Sequence, residues 1–396
     1  MQRDFLIIGG GIIGLTMARS LKTRHPKASI TILEKETDVA RHASGRNSGV
    51  LHAGFYYTAD SLKAKFCRDG NRAMHAYCEE HGLKLNRCQK LVVAGDAGEV
   101  EALHELKRRG DANGVPVELI DEQQATSIEP NVRTYGQALL SPTTSTVDPV
   151  QICRHMRDQL IQSGVQILIN HPYQERMEGN RIRAGQTVFE AGVIINCAGV
   201  YASDIAQDFG FAQDYTILPF KGIYLKYTGA DRPLRTLLYG VPDMKKPFLG
   251  VHFAVTVEGD IKIGPTAIPA FWRENYQGMT RFKAAEMLDI LCWHCKLFSR
   301  NAFGFRTFAF EEMRKYNKRY LIRHALRMVK HMDASKFNQW GTPGIRAQLL
   351  NTKTLSLVQD FIVEGDAKSV HVLNAVSPAF TCSLPFSGWV AEQWLK

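Results

Sequence analysis

The sequence predicts an α/β fold (α+β overall), in which a parallel-sheet domain is interleaved with a second domain built on a mainly antiparallel sheet with helices. Three observations carry this. Phe5-Leu-Ile-Ile8 is an apolar run that opens into Gly9-x-Gly11-x-x-Gly14 and a helical pattern, and a second apolar run, Ile30-Thr-Ile-Leu33, ends on Glu34. Val193-Ile-Ile-Asn-Cys-Ala-Gly199 is another buried strand, closing in small residues. From about Tyr215 to Thr266, strand-like runs alternate with Pro and Gly turns, the signature of antiparallel pairing. The first observation is a dinucleotide fingerprint in its full context, which makes the parallel domain Rossmann-like. Gly9 permits the tight turn, Gly11 lets backbone approach a pyrophosphate, and Gly14 lets helix pack on strand; Glu34 stands where a carboxylate accepts from a ribose hydroxyl. The helix N-terminus turns unpaired N–H groups and partial positive charge toward the phosphates.

The remaining elements follow in order. Residues 62–82 read as a helix ending at Gly82, 97–112 as a helix between short strands at 91–94 and 117–120. Asp148-Pro149 is a helix start, with Asp as N-cap and Pro at the first helical position, and the helix ends at Ser163-Gly164 before a strand at 165–169. A hairpin turns at Gly179-Asn180. Residues 281–300 and 310–331 are mostly helical, and short strands at 361–363 and 370–373 precede a closing helix from Pro385. Nucleotide-type segments at the start, middle and end place residues 1–85, 145–214 and 340–396 in the nucleotide domain, and 86–144 and 215–339 in the other.

Composition narrows the classes. With 396 residues and 45% hydrophobic content the chain can build real cores. No apolar run approaches the ~18 residues of a membrane span. The first residues lead almost directly into the first strand, and eight cysteines are scattered, so the expectation is a chain without targeting peptide in a reduced, cytoplasmic compartment. Cys292-Trp-His-Cys295 lies in a helix-like stretch with no second ligand pair at zinc-finger spacing, so no metal site is expected. The net charge is +10, and residues 300–336 hold ten Lys or Arg against three acids, interleaved with aromatic and aliphatic residues. Two readings of that stretch stand: a peripheral surface on the inner face of the cytoplasmic membrane, or a solvated helical face that attracts anionic substrates. No recognition motif for nucleic acid accompanies the charge.

A further stretch, Arg41-His-Ala-Ser-Gly-Arg-Asn-Ser-Gly-Val-Leu-His-Ala-Gly-Phe-Tyr-Tyr57, supplies small residues that can lie against a flat ring and sets His52 beyond a glycine turn. With the fingerprint, Ser61-Leu-Lys-Ala64, Ile194–Gly199, Phe248–His252, Gly264-Pro265, Gly344-Ile-Arg-Ala-Gln348 and Asn374–Ala379, the chain resembles the glycine-oxidase/amino-acid-oxidase superfamily of FAD enzymes, and most closely the L-2-hydroxyglutarate dehydrogenase/oxidase family, from residue 2 to about 392. The resemblance implies bound FAD, contacted by Gly9, Gly11, Gly14, Glu34, Lys35, Ser44, Asn47, Ser48, Gly49, Ala198, Gly199, Ser377, Pro378 and Ala379. It implies oxidation of a 2-hydroxy acid, with His52 as base, Arg346 clamping the C1 carboxylate in a bidentate fork, and His252 and Lys221 serving the distal carboxylate. A small dicarboxylate is then the substrate, and quinone or oxygen the electron acceptor. Three positions depart from the family pattern. Pro219-Phe-Lys-Gly-Ile-Tyr224 has Lys221 where relatives carry arginine and Ile223 where they carry an acid, and Arg46 stands where they usually have histidine. Those departures leave a second reading open, an FAD oxidase or dehydrogenase of an amino acid, a secondary amine or glycerol 3-phosphate. A third, a flavin scaffold without turnover, would lack groups like His52 and Arg346.

Overall fold

The computed structural model describes residues 2–243 and 248–395. The chain divides into two compact units: 1–47, 149–219 and 346–396 in one, 48–148 and 220–345 in the other.

The first unit is built on parallel strands. The opening strand, Gln2–Ile8, lies between Ile30–Leu33 and Thr187–Asn196; Gln166–Leu168 extends the sheet beyond Ile30–Leu33, and Ser369–Val372 extends it beyond Thr187–Asn196. Their apolar runs are buried, as the strands of a sheet covered on both faces must be. The Gly179-Asn180 turn joins Tyr173–Met177 to Arg181–Ala184 as an antiparallel flap on the same sheet. The fingerprint helix, Ile12–Arg24, and the closing helix, Ala379–Trp394, run side by side: Thr16 Oγ1 meets Ser387 Oγ at 2.7 Å, and His25 Nε2 meets Leu395 O at 3.4 Å. This pairing makes them parallel, so both N-termini open at the same end.

The second unit is mainly antiparallel. Its large sheet runs in the order Phe337–Trp340, Leu225–Tyr227, Ile261–Gly264, His252–Val255, Leu237–Gly240, Lys90–Val93, Gln137–Ser141, Glu118–Asp121, with only the Leu237–Gly240 and Lys90–Val93 pair parallel. Helices Leu62–Glu80, Ala97–Ala112 and Ala284–Arg300 belong to this unit. Local signals account for the helix starts: Ser61 accepts from Ala64 N–H, Asp96 from Glu99 N–H, and Asp121 with Gln124 forms a reciprocal capping box.

Three sequence expectations are corrected. Residues 48–85 belong to the second unit, because Val50–Leu51 and Leu85–Asn86 both pair with Ser145–Val147 and so fasten that stretch there; Ser48 and Gly49 go with it. The closing helix begins at Ala379, and Pro385 lies inside it. A proline there removes an N–H and crowds the carbonyl four residues back, a cost of ~3 kcal/mol. The buried side chains of Cys382, Phe386, Val390 and Ala391 offset it. The helical stretch 310–331 is broken into Phe305–Arg314 and Lys318–Ala325, since Asn317 caps the second piece by accepting from Arg319 and Tyr320 N–H.

Candidate active site

In the first unit, register decides which residues meet. Ile8 lies beside Leu33 on one side and Asn196 on the other, and Asn196 lies beside His371. The carboxyl ends of these parallel strands therefore deliver Glu34, Gly9–Gly11, Ala198-Gly199 and the 373–379 segment to one edge, where open α/β sheets bind ligands. Gly9 has φ +113°, and a Cβ there would stand 2.5 Å from Cys197 O; at Gly14 it would stand 2.0 Å from Gly9 O. Those two glycines bring helix and neighbouring strand into backbone contact. Gly11 is the helix N-cap with no side-chain cap, and a Cβ there would meet only Ser44 Oγ, at 3.0 Å. The space over the helix end is thus kept open by the missing side chain.

Polar groups around this edge are set by backbone. Buried Glu34 accepts from Gly10 N–H at 2.8 Å and Glu36 N–H at 2.9 Å. Ser44 Oγ accepts from Ile12 N–H at 2.9 Å, and Asn47 Nδ2 donates to Ser44 O at 2.8 Å. Lys35 pairs with Glu36 and lies 5.8 Å from the Tyr201 ring centroid. Asn196 shapes the turn after its strand, accepting from Ala198 N–H at 3.1 Å and donating to Ala202 O at 2.8 Å. Gly199, at φ +59°, has nothing near its would-be Cβ. Pro378 caps the closing helix, whose first residue is Ala379, with Ser377 exposed before it. Two parallel helix ends whose N-cap residues, Gly11 and Pro378, make no side-chain cap bond, a glycine cradle and a strand-end carboxylate fit a dinucleotide: N–H groups for the pyrophosphate and an acceptor for ribose. These residues would hold FAD.

In the second unit, His52 follows Val50–Leu51 in a loop whose carbonyls are fastened one after another. Asn71 Nδ2 donates to Leu51 O, Cys67 Sγ to His52 O, Asn113 Nδ2 to both Gly54 O and Tyr57 O, and Arg109 to Tyr56 O. The half-buried His52 ring is thereby positioned, with Nδ1 3.5 Å from Lys90 Nζ. Lys90 opens a buried strand and is itself fully buried. Its Nζ lies 4.1 Å from the Tyr239 ring centroid, 5.2 Å from that of Tyr56 and 5.6 Å from that of Phe55. Burial pulls its pKa down to about 7, against a smaller opposing pull from the Cys67 and Cys88 thiols. Tyr239 stacks in turn on His252, ring centroids 3.7 Å apart, and His252 Nδ1 sits 3.0 Å from Gly250 O. A carbonyl only accepts, so Nδ1 of His252 carries a proton. Burial also pushes the Tyr56 hydroxyl pKa up, and that hydroxyl has no hydrogen-bond partner.

Of the sequence-expected site residues, His52 and His252 are thus gathered around Lys90 and Tyr239. Lys221 lies buried on Tyr215–Gly222, its pKa lowered by burial. Arg346 lies half-buried on Gly344–Asn351, in the first unit. Sequence reading missed Lys90 and Tyr239. The signal was present for Lys90: a lysine heading an apolar run, Lys-Leu-Val-Val, beside a strand position that must point inward.

A glycine cradle at the carboxyl edge of a parallel sheet, coupled in sequence to an antiparallel unit, is the arrangement of a flavin-dependent oxidoreductase. A family model described as FAD dependent oxidoreductase matches residues 4–393, and the chain belongs to that family. Within it, the chain is 34% identical over 415 residues to the mitochondrial L-2-hydroxyglutarate dehydrogenase of Bos taurus, covering 98% of this chain and 88% of that one. It is 34% identical to the L-2-hydroxyglutarate dehydrogenase of Indibacter alkaliphilus, with 100% of both covered. Among solved structures, the fold is similar to L-alpha-glycerophosphate oxidase from Mycoplasma pneumoniae with FAD bound (TM-score 0.77, 22% identity, 100% and 95% coverage). Glycine oxidase from Geobacillus kaustophilus is also similar (TM-score 0.72, 17% identity, 99% and 94% coverage).

Proposed function

We propose that this FAD-dependent enzyme oxidises L-2-hydroxyglutarate to 2-oxoglutarate and passes the electrons to quinone or oxygen. The observation that carries the substrate is identity of about a third, end to end, to L-2-hydroxyglutarate dehydrogenases. The chemistry of the antiparallel unit agrees with it. His52, anchored by its loop, accepts the proton of the substrate hydroxyl; a ring that is neutral near pH 7 and still basic suits that task. FAD, when bound, supplies the acceptor for the α-hydrogen and its two electrons. Arg346 holds a carboxylate through its planar fork, while Lys221 and His252 serve the second carboxylate of a dianion. Steady-state turnover with a soluble electron acceptor tests the assignment across L-2-hydroxyglutarate, glycine, a secondary amine and glycerol 3-phosphate. L-2-hydroxyglutarate should exceed the others in kcat/KM by at least about two orders of magnitude, and a preference for the amine or the phosphate would overturn it.

We infer also that the helical region after residue 283 faces an anionic membrane surface. Leu288, Leu291, Cys295 and Phe298 recur at helical spacing on Ala284–Arg300 and are all exposed. Phe298 and Phe310 pack edge to face at 6.0 Å, with the Arg306 guanidinium 5.5 Å from the Phe298 ring centroid. Arg300, Arg314, Arg319 and Arg323 are exposed in the same region. Apolar side chains with basic neighbours are what an interfacial helix presents to lipid. No helix among the described residues is long and apolar enough to cross a membrane.

A further inference from the structure

Lys90 is a lysine in a place that does not suit a cation. It is buried completely, and among the described residues no carboxylate pairs with it. What surrounds it is the His52 ring at 3.5 Å, the faces of Phe55, Tyr56 and Tyr239, and the thiols of Cys67 on the neighbouring helix and Cys88 just before its own strand. Behind Tyr239 stands His252. On the two strands that flank it, Lys90 lies opposite Ser141 and Leu237, neither of which titrates. Two cations cannot be held 3.5 Å apart in such surroundings, so the Lys90–His52 pair carries one positive charge at most.

We propose that Lys90 is a positioning residue for the oxidation: its Nζ fixes the ring and tautomer of His52, and it takes the Nδ1 proton when Nε2 receives the proton of the substrate hydroxyl. The inference rests on the reading of His52 as the base. In the step, the substrate O–H bond breaks and Nε2–H forms, while Nδ1–H breaks and Nζ–H forms. The α-hydrogen leaves with its electron pair to the acceptor named above. The new positive charge ends on Lys90, where three ring faces stabilise an ammonium, and not on His52. Lys90 is too deep to touch substrate, so its action runs through His52 alone.

The arrangement requires Lys90 to start neutral, and burial lowers its pKa to about 7, so the competent state forms as pH rises through that value. Below it, the ammonium donates to Nδ1 and His52 carries its proton on Nε2, where it cannot act as base. Above it, the proton sits on Nδ1. The tautomer of His52 therefore switches near pH 7.

Two measurements on the FAD-loaded enzyme test this. In anaerobic flavin reduction by L-2-hydroxyglutarate, the wild type should show a limb near pH 7. Lys90→Met should keep its FAD and a KM within about 3-fold, lose about 10- to 100-fold in rate, and move the limb to lower pH. Lys90→Arg, permanently charged, should be as slow. A Lys90→Met rate and pH profile like wild type would overturn the proposal. Should that variant fail to fold, ¹⁵N-histidine NMR of the wild type decides instead, with the His52 signals assigned by their loss in His52→Gln. A protonated Nδ1 above pH 7 that gives way to a protonated Nε2 below it is expected, and a pH-independent tautomer overturns the relay. A His52→Gln variant as fast as wild type would instead remove the base reading itself, a separate failure.

Discussion

At the scale of single residues, the cofactor edge depends on what is missing as much as on what is present. Gly11 keeps the helix end open, so Gly11→Leu should give a folded protein purified without flavin. A full flavin complement in that variant would place the phosphates elsewhere. Glu34 is held by Gly10 and Glu36 N–H, which aims it at the edge but also means that Glu34→Ala orphans two donors. Its effect on FAD affinity should be about 1.5–3 kcal/mol, read by flavin titration of apo-protein. His52 makes a different prediction. His52→Ala should retain FAD and lose roughly 10²-fold or more in the rate of anaerobic flavin reduction, with substrate affinity little changed. An unchanged rate would reduce the residue to a structural role.

At the scale of elements, the strand that begins at Lys90 is where structure and chemistry conflict. Folding lowers this lysine's pKa from its usual ~10.4 to about 7. Between those values the unfolded chain binds a proton that the folded chain does not, so stability falls as pH drops through the window and stays lowest below pH 7. Lys90→Met should therefore raise the melting temperature at pH 7, by a gain on the order of a few kcal/mol that shrinks toward pH 10. No gain, or one independent of pH, would show that the ammonium is better solvated than its burial implies. Elements also show what sequence can and cannot disclose. The Asp148-Pro149 start was legible because proline at a first helical position is a local signal, and the helix does open at Pro149. The closing helix was not, because Pro385 is a strong local stop signal that only burial against the fingerprint helix overrides. Residues 48–85 were assigned to the wrong unit because two-residue strands, Val50–Leu51 and Leu85–Asn86, carry no periodicity; only their shared partner at Ser145–Val147 fixes them. The same limit hid the lysine–histidine pair: Lys90 and His52 are 38 residues apart, and no spacing rule relates them.

At the scale of the whole molecule, charge and composition set the partners. Of the four arginines named at the helical surface, each contributes about 1 kcal/mol beside an anionic membrane, within a screening length of ~8 Å at 0.15 M salt. The protein should pellet with anionic vesicles at low salt and release as salt rises. Replacing Arg300, Arg314, Arg319 and Arg323 by Gln should weaken partitioning roughly 10³-fold without altering turnover with a soluble acceptor. Lys315 is left out of that set because it is paired with Glu312. Failure to pellet at any salt would assign the net charge of +10 to solubility or to steering of a dianion, which a kcat/KM that falls with salt would reveal. The central claim, that a flavin cradle in one unit and a histidine-centred site in the other serve oxidation of a hydroxy acid, is tested most directly by a single anaerobic turnover. Purified yellow protein mixed with L-2-hydroxyglutarate should bleach completely and yield one 2-oxoglutarate per flavin, while the D-enantiomer leaves the spectrum unchanged. A colourless protein, or a flavin that the L-enantiomer does not bleach, would contradict the account.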